Sequence, residues 1–232
     1  MKNKTVLLFS GGVDSTALLY RQLRDTSDII YVHHINFLNI EDRAYCEKIA
    51  CVSIVNYLRE NIRPFLYSES TFNWPGRDFI GWDIVTAMYI GALATRDVMI
   101  GDVKKKEYDE YSYRVAIGDN ADDFNSYQWK TPVAQGIFAL ASLSVPWKNQ
   151  VIPQIIQPIA HLKKKDLIDD MPRELFDLTW TCRHPVLSRQ EKAFKECGTC
   201  ISCKALKELG YFRDTQLCIN PGGNKNGKIP KE

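Results

Sequence analysis

The chain has 232 residues, of which 45% are hydrophobic and 25% charged, proportions that exclude collagen-like, low-complexity and wholly disordered classes of protein. With 30 Lys and Arg against 28 Asp and Glu, the net charge of +2 does not indicate nucleic acid or an anionic membrane as the main partner. The length suits one large domain, or one domain with a small appendage. Because no apolar leader precedes the first apolar run, we expect a cytoplasmic protein.

Predicted strands alternate with predicted helices along most of the chain. The strands are β-branched or aromatic runs, at residues 5–9, 29–35, 64–67, 97–100 and 154–157. The helices carry apolar residues at helical spacing, at residues 15–23, 42–60, 79–96, 133–143 and 163–171. This alternation predicts an α/β fold, with a doubly wound and mainly parallel five-stranded sheet covered by helices on both faces.

Two longer segments carry additional information. The most apolar one, residues 79–95, is interrupted by Asp83 and flanked by charged residues, which favours a buried helix over a membrane span. The polar segment 104–130 lacks a steady period and is predicted to be a functional loop or broken helix over the site. The predicted organisation has three parts: an α/β domain over residues 1–175, a metal-binding region over residues 176–218, and a flexible tail over residues 219–232.

A glycine-rich turn joins the first predicted strand to the first predicted helix. It consists of Ser10, Gly11, Gly12, Val13, Asp14, Ser15 and Thr16. Successive backbone N–H groups and the positive end of a helix bind anions at such a turn, and doubly wound sheets bind ligands at this edge. The turn matches neither the Walker A loop nor the dinucleotide-binding fingerprint. We predict an anion-binding loop of another class, with an ordinary tight turn as the alternative.

Four cysteines near the end of the chain form a second candidate site. Cys182, Cys197, Cys200 and Cys203 have the spacing C-x14-C-x2-C-x2-C, and four thiolates complete a tetrahedral zinc site. In a cytosolic chain such a cluster indicates metal rather than disulfides. An iron–sulfur cluster and free thiols are the alternatives, and His184 is a reserve ligand. The sequence therefore predicts a metal centre more firmly than it predicts which metal.

The glycine turn resembles the Ser-Gly-Gly-x-Asp-Ser signature of the PP-loop ATP pyrophosphatases. In that family the loop holds the pyrophosphate end of ATP while a substrate oxygen attacks the α-phosphate. The resemblance implies the fold of the adenine nucleotide α-hydrolase-like proteins, with ATP and Mg²⁺ bound by residues 10–16 and Asp14 as the magnesium ligand. It also implies catalytic roles for Asp14, Ser15 and Arg77, the last as a contact to phosphate or to a substrate carboxylate.

Further motifs narrow the resemblance to the 7-cyano-7-deazaguanine synthase family. They are Pro75-Gly76-Arg77-Asp78, Ile100-Gly101 as a strand-ending pair, Thr179-Trp180-Thr181-Cys182, and the knuckle from Cys197 to Cys203. The resemblance implies adenylation of the carboxylate of 7-carboxy-7-deazaguanine, displacement of AMP by ammonia, and a second adenylation that yields the nitrile. It further implies Zn²⁺ on the four cysteines and a homodimer.

Additional site residues follow from position and from the resemblance. His34 ends the second predicted strand and is expected close to adenine or ribose, while Gly101 and Lys104 are expected near the phosphates. The family's Tyr-Pro-Asp-Cys-Arg substrate segment is absent. Asp109 and Arg114 lie roughly in its place, and they are the candidates for binding the amidine edge and the carboxylate of the deazapurine.

Two other functions remain open. One is a PP-loop enzyme that adenylates a different acceptor, either stopping at the amide or modifying a tRNA base or a protein. The other is a catalytically inactive nucleotide sensor or zinc-binding module, against which the intact loop with Asp14 argues. We predict an ATP-dependent carbon–nitrogen ligase whose partners are a small deazapurine and ammonia.

Overall fold

The computed structural model describes residues 2–39, 41–73, 83–107, 110–122, 130–143, 153–188, 190–213 and 217–219. Its main sheet consists of β1 (Lys2–Phe9), β2 (Ile29–Leu38), β3 (Leu66–Asn73), β4 (Tyr111–Ala116) and β5 (Gln154–Ile156). The strand order is β3-β2-β1-β4-β5, and every pairing is parallel. This sheet confirms the predicted α/β fold.

Helices cover both faces of the sheet. They are α1 (Val13–Asp25), α2 (Ala44–Asn61), α3 (Asp83–Lys105), α4 (Lys130–Leu143), α5 (Lys164–Asp170), α6 (Arg173–Asp177) and α7 (Ile201–Glu208). Because successive strand residues point to opposite faces, Leu7 packs in a large core cluster with α1 and α2, whereas Leu8 packs in a smaller cluster with α3 and α4. The two layers place the carboxyl ends of the central strands between helices.

The predicted fourth strand, over residues 97–100, is wrong. These residues lie within α3, and the fourth strand is β4, inside the segment predicted as a loop. A short apolar run suits either a strand or a buried helix face, so periodicity alone did not separate the two. Asp102, in the last turns of α3, pairs with Lys4 Nζ at 2.6 Å near the start of β1. The helix therefore ends at the amino edge of the sheet.

The apolar helix α3 is long and hydrophobic enough to cross a membrane, with a mean hydropathy of 1.3 over an 18-residue window within Ile84–Lys105. A single helix of this kind is weak evidence, since core helices of soluble proteins share these properties. Met88 and Ala92 are buried in the cluster with Phe138 of α4, and a Cβ on Gly91 would lie 2.9 Å from Leu8 of β1. This packing places one face of α3 against the sheet and α4, while Tyr89 and Leu93 on the helix are exposed.

The C-terminal region carries a second sheet that the sequence did not predict. It is antiparallel, in the order β6 (Val186–Ser188), β7 (Ala193–Lys195) and β8 (Leu217–Ile219). The predicted tail begins at Ile219, which closes β8, and residues 220–232 lie outside the described residues. The same large core cluster that holds Leu7 also includes Trp180 and Leu206. The C-terminal region thus shares its core with the main sheet.

Candidate active site and metal centre

The glycine loop lies at the carboxyl edge of the sheet, between β1 and α1. Gly11 has a φ of 70°, in the left-handed region that favours glycine. Gly12 is the N-cap of α1, and no side chain among the described residues caps this helix. The first backbone N–H groups of α1 therefore remain available to an anion. Since β2 pairs with one side of β1 and β4 with the other, the loop sits where doubly wound sheets bind ligands.

The loop residues divide into those that face a cavity and those that face the protein core. The cavity has a volume of about 300 Å³, and its loop residues are Ser10, Gly12, Val13, Asp14 and Ser15. The hydroxyls of Ser10 and Ser15 lie 3.0 Å apart, which holds the two ends of the turn together. Thr16 is fully buried instead, and Gly11 packs against α2. The structure brings most of the predicted phosphate-binding residues to one surface.

Asp14 is held by two residues that the sequence did not single out. Its Oδ1 accepts a hydrogen bond from Asn120 Nδ2 at 2.9 Å, and its Oδ2 lies 3.0 Å from Lys164 Nζ. Asn120 Oδ1 accepts from the backbone N–H of Asp122, and Asp122 Oδ2 accepts from the backbone N–H of Lys164. These contacts close a ring that fixes the Asp14 carboxylate. Lys164 belongs to a run of three lysines, a pattern typical of solvated surface, yet its side chain is only 12% exposed.

The opposite walls of the cavity are largely apolar. They come from the ends of the central strands and from α3, and comprise Leu8, Phe9, Ile35, Phe37, Ile84, Ala87 and Ile117. Such walls suit a planar base, while the loop supplies polar groups for an anion. His34 lies beneath this region, fully buried, with its Nδ1 2.8 Å from the carbonyl oxygen of Phe9. Burial lowers the pKa of His34, so this imidazole supports the end of β1 as a neutral group.

Several predicted site residues are not brought to the cavity. Gly101 and Lys104 lie in the last turns of α3, at the amino edge of the sheet, because the strand predicted before them is part of that helix. Arg114 lies within β4 beside Thr5, and its Nη1 is 3.6 Å from Asp28 Oδ2. The predicted contacts of Gly101, Lys104 and Arg114 with nucleotide or substrate are thus wrong in position. Arg77 and Asp109 lie outside the described residues.

Ile100-Gly101, predicted as a strand-ending pair, lies inside α3, whereas the pair Ile117-Gly118 directly follows β4. Both residues follow β4 and line the cavity. A Cβ on Gly118 would lie 3.1 Å from the backbone N and Cα of Ser15, so the two backbones meet directly. Glycine here lets the end of β4 approach the glycine loop, which a longer side chain would push away.

A segment of the C-terminal region lies over the glycine loop. The backbone N–H of Trp180 donates to the carbonyl oxygen of Gly11 at 2.9 Å. Thr181 and Arg183 line the cavity, as does Ser202 at the start of α7. These contacts place the C-terminal region against one side of the site.

Cys182, Cys197, Cys200 and Cys203 meet at one point, with their Sγ atoms all within 4.8 Å of one another. The backbone N–H of Cys197 donates to Cys182 Sγ at 3.1 Å, and the N–H of Cys200 donates to Cys197 Sγ at 3.3 Å. Although burial opposes ionisation, hydrogen bonds from Thr199 and Cys200 lower the pKa of Cys197 to about 6. Cys197 therefore favours the thiolate, the form that binds metal, whereas the hydrogen bond with Cys182 and burial raise the pKa of Cys203.

The separations of the sulfur atoms test which metal group fits. A tetrahedral ion with metal–sulfur bonds of about 2.3 Å places its ligand sulfurs about 3.8 Å apart. The Sγ atoms of Cys197 and Cys203 are 4.0 Å apart, and no pair within the four-cysteine set exceeds 4.8 Å. A cluster of four irons would separate its thiolates further, because the cluster itself lies between them. The donor set fits one tetrahedral ion.

The sequence of the whole chain was also compared with those of known proteins. No family model matches the chain. The 7-cyano-7-deazaguanine synthases of two strains of Leptospira interrogans are each 24% identical to it in a match 225 residues long, which covers 90% of this chain and 86% of the relative. The likeness supports a PP-loop, ATP-dependent enzyme. It does not by itself fix the reaction.

Two solved structures are similar at a lower level. One is the U34-tRNA thiolase NcsA from Methanococcus maripaludis with its 4Fe–4S cluster, at a TM-score of 0.43 and 18% identity. The match covers 90% of this chain and 64% of the thiolase, less than two thirds of its length. The other is a predicted subunit of a tRNA methyltransferase from Methanocaldococcus jannaschii, at a TM-score of 0.35 and 19% identity, over 94% of this chain and 96% of that one. Neither similarity is close enough to compare sites.

Replacing Gly11 by alanine is expected to weaken ATP binding at least ~10-fold, because the loop must move. The new Cβ would lie 2.9 Å from Cys51 Sγ and 3.2 Å from the carbonyl oxygen of Glu47, at a positive φ. Isothermal titration with ATP measures the effect. Gly210→Ala is the control, since Gly210 has a φ of 78° but open space around it. Equal ATP affinity in the Gly11 variant and the control would contradict the proposed close packing.

Proposed function

We propose that this chain is an ATP-dependent ligase that converts 7-carboxy-7-deazaguanine and ammonia into 7-cyano-7-deazaguanine. The main support is the position of the glycine loop. The loop and its fixed carboxylate, Asp14, face a cavity that the metal-binding segment also lines. The likeness to 7-cyano-7-deazaguanine synthases over 90% of the chain supports the choice of acceptor. A homodimer, a cytoplasmic location and small-molecule partners belong to the same proposal.

The groups around the loop suit the departure of pyrophosphate. Backbone N–H groups at the start of α1 and the hydroxyl of Ser15 stabilise its negative charge. Asp14 is the residue that would hold Mg²⁺, which when bound shields the charge of the phosphates. The ammonium of Lys164 lies 3.0 Å from Asp14 and can donate a hydrogen bond to a phosphate oxygen when the carboxylate binds the ion. The loop thus binds and orients ATP without forming a covalent bond to it.

The proposed reaction needs no protein nucleophile. A carboxylate oxygen of the acceptor attacks the α-phosphorus and pyrophosphate leaves; ammonia then displaces AMP and gives the amide. The amide oxygen attacks the α-phosphorus of a second ATP and pyrophosphate leaves; loss of AMP and of the two N–H protons then gives the nitrile. No cysteine lies among the cavity-lining residues that the structure describes. Positioning and electrostatic stabilisation are therefore the protein's main contributions.

Zinc is the metal proposed for the four cysteines. Four thiolate ligands complete a tetrahedral shell, so a zinc ion there supplies structure and leaves no open position for chemistry. Cys182 and Cys203 are buried and belong to the large core cluster. The residues that hold the ion therefore also pack the C-terminal region on the main sheet.

Product analysis tests the proposed function. The purified chain is incubated with ATP, Mg²⁺, ammonium and 7-carboxy-7-deazaguanine, and the products are followed by mass spectrometry. We expect the nitrile, with two AMP released for each nitrile formed. Amide without nitrile would indicate a reaction that stops after one adenylation. AMP formation only with another acceptor would overturn the substrate, and ATP binding without any AMP would favour a nucleotide sensor.

A further inference from the structure

A group of four charged side chains borders the cavity on the side of β2 and α2. Arg43 and Glu47, at the start of α2, line the cavity together with Arg183 of the C-terminal segment. Glu41 lies behind them and is 3% exposed at its side chain. Its Oε2 is 2.8 Å from Arg43 Nε, and its Oε1 is 3.3 Å from Arg183 Nη1. One buried carboxylate thus orients two arginines from distant parts of the chain.

The two arginines differ in how they are held. Arg43 lies between two carboxylates, since its Nη1 is also 3.4 Å from Glu47 Oε1, and its side chain is 12% exposed. Arg183 contacts Glu41 through Nη1, while 32% of its side chain remains exposed. A guanidinium carries five N–H donors in a planar fork that matches both oxygens of a carboxylate. Arg183 therefore presents the more accessible fork to the cavity.

The backbone just before Arg183 is held at two points. Trp180, before it, donates to the Gly11 carbonyl, and Cys182, beside it, belongs to the four-cysteine centre. Thr181 and Arg183 line the cavity, while the Cys182 Sγ between them lies with the other three sulfurs. The hydroxyl of Thr181 is buried and has no hydrogen-bond partner among the described residues. A ligand in the cavity would satisfy it.

We propose that Arg183 binds the carboxylate of the acceptor and positions it for attack on the α-phosphate of ATP, with the Thr181 hydroxyl as a second contact. This inference rests on the proposed function. It assigns substrate recognition to the metal-binding segment, in place of the Tyr-Pro-Asp-Cys-Arg segment that this chain lacks. Glu41 is a positioning residue, because it holds the Arg183 guanidinium at the cavity without facing the acceptor itself.

Titrations of an Arg183→Gln variant test the assignment. The affinity for 7-carboxy-7-deazaguanine is measured by calorimetry with Mg²⁺ and a non-hydrolysable ATP analogue present, and the affinity for the analogue is measured alone. We expect the affinity for the carboxylate to fall ~10–100-fold, the loss typical of a hydrogen-bonded charge pair. We expect analogue affinity, metal content and melting temperature to stay at wild-type values. Arg183→Lys is expected to recover part of the affinity, as a point charge without the fork.

Two comparisons make the test specific. Arg173→Gln is the control, because Arg173 is exposed and pairs with Asp177 one helical turn away. The neutral amide of the same deazapurine is the second, and its affinity should change much less in Arg183→Gln than that of the carboxylate. If Arg183→Gln loses metal, the Arg183→Lys variant with full metal content decides the comparison.

The other outcomes separate this inference from the proposed function. Weaker binding of the analogue with unchanged binding of the carboxylate would assign Arg183 to a phosphate and overturn the inference alone. Unchanged affinity for both ligands would also overturn it. Failure of the wild-type chain to bind the carboxylate at all would overturn the proposed acceptor, and the inference with it.

Discussion

Replacing Asp14 by asparagine is expected to slow the formation of AMP by ~10²–10³-fold, the scale seen when one preorganised electrostatic contact is removed. Asparagine keeps the shape of the side chain but loses the charge that would hold Mg²⁺. It also leaves the ammonium of Lys164, 3.0 Å away in the wild-type protein, without this counter-charge. Single-turnover measurement of AMP at saturating ATP reports the effect on the chemical step.

The control for this change is Asp166→Asn. Asp166 is an exposed carboxylate on α5, the helix that carries Lys164, and it does not line the cavity. Circular dichroism and thermal unfolding of both variants separate a catalytic loss from a loss of structure. AMP formation by Asp14→Asn within threefold of the wild-type rate would remove Asp14 from the magnesium site.

Loss of one cysteine ligand is expected to have the largest effect on stability. Cys200→Ser should release the metal and lower the free energy of unfolding by about 3–5 kcal/mol, because structural metal sites contribute directly to folding. For a chain of this size the change corresponds to a decrease of ~10 °C in melting temperature. Metal content by mass spectrometry and calorimetric melting curves measure the two effects together. Removing the ion from the wild-type protein with a chelator should have the same result.

Ile201→Ser is the matched control for the cysteine variant. Ile201 follows Cys200 at the start of α7, and it is 67% exposed. This control introduces serine in the same turn of the chain but removes no cysteine ligand. If the Cys200→Ser protein lacks metal but has the same melting temperature as the control, the ion does not stabilise the fold.

The glycine loop and the cysteine cluster were predictable because each is encoded within a short stretch of chain. Gly11 and Asp14 are separated by only three positions, and Cys197, Cys200 and Cys203 follow one another at intervals of three. Short motifs of this kind can be recognised in the sequence without knowledge of the fold. The alternating apolar runs also predicted β1, β2 and β5 near their observed positions.

The fourth strand was missed because its sequence does not show the pattern of a buried strand. In β4 the apolar Tyr113 and Val115 are buried, but Arg114 lies between them. Asp28, which precedes β2, balances that charge from 3.6 Å. This compensation comes from another part of the sheet, so the local sequence carries no sign of it. The error displaced the predicted site to the end of α3.

Three residues of the site were beyond sequence analysis for a related reason. Asn120 and Lys164 reach Asp14 across more than a hundred residues of chain, and Arg183 meets Glu41 across a similar span. Lys164 lies in a run of three lysines, which is typical of a solvated surface. Only the folded chain brings these side chains together.

The shared core of the two regions affects how this protein can change. Trp180 and Leu206 pack in the same cluster as Leu7, and the Trp180 backbone holds the carbonyl of Gly11. A truncation at residue 175 would expose that core and release the glycine loop. The cysteine-bearing region therefore cannot be replaced as an independent domain. Substitutions in it are constrained because it forms part of the wall of the nucleotide pocket.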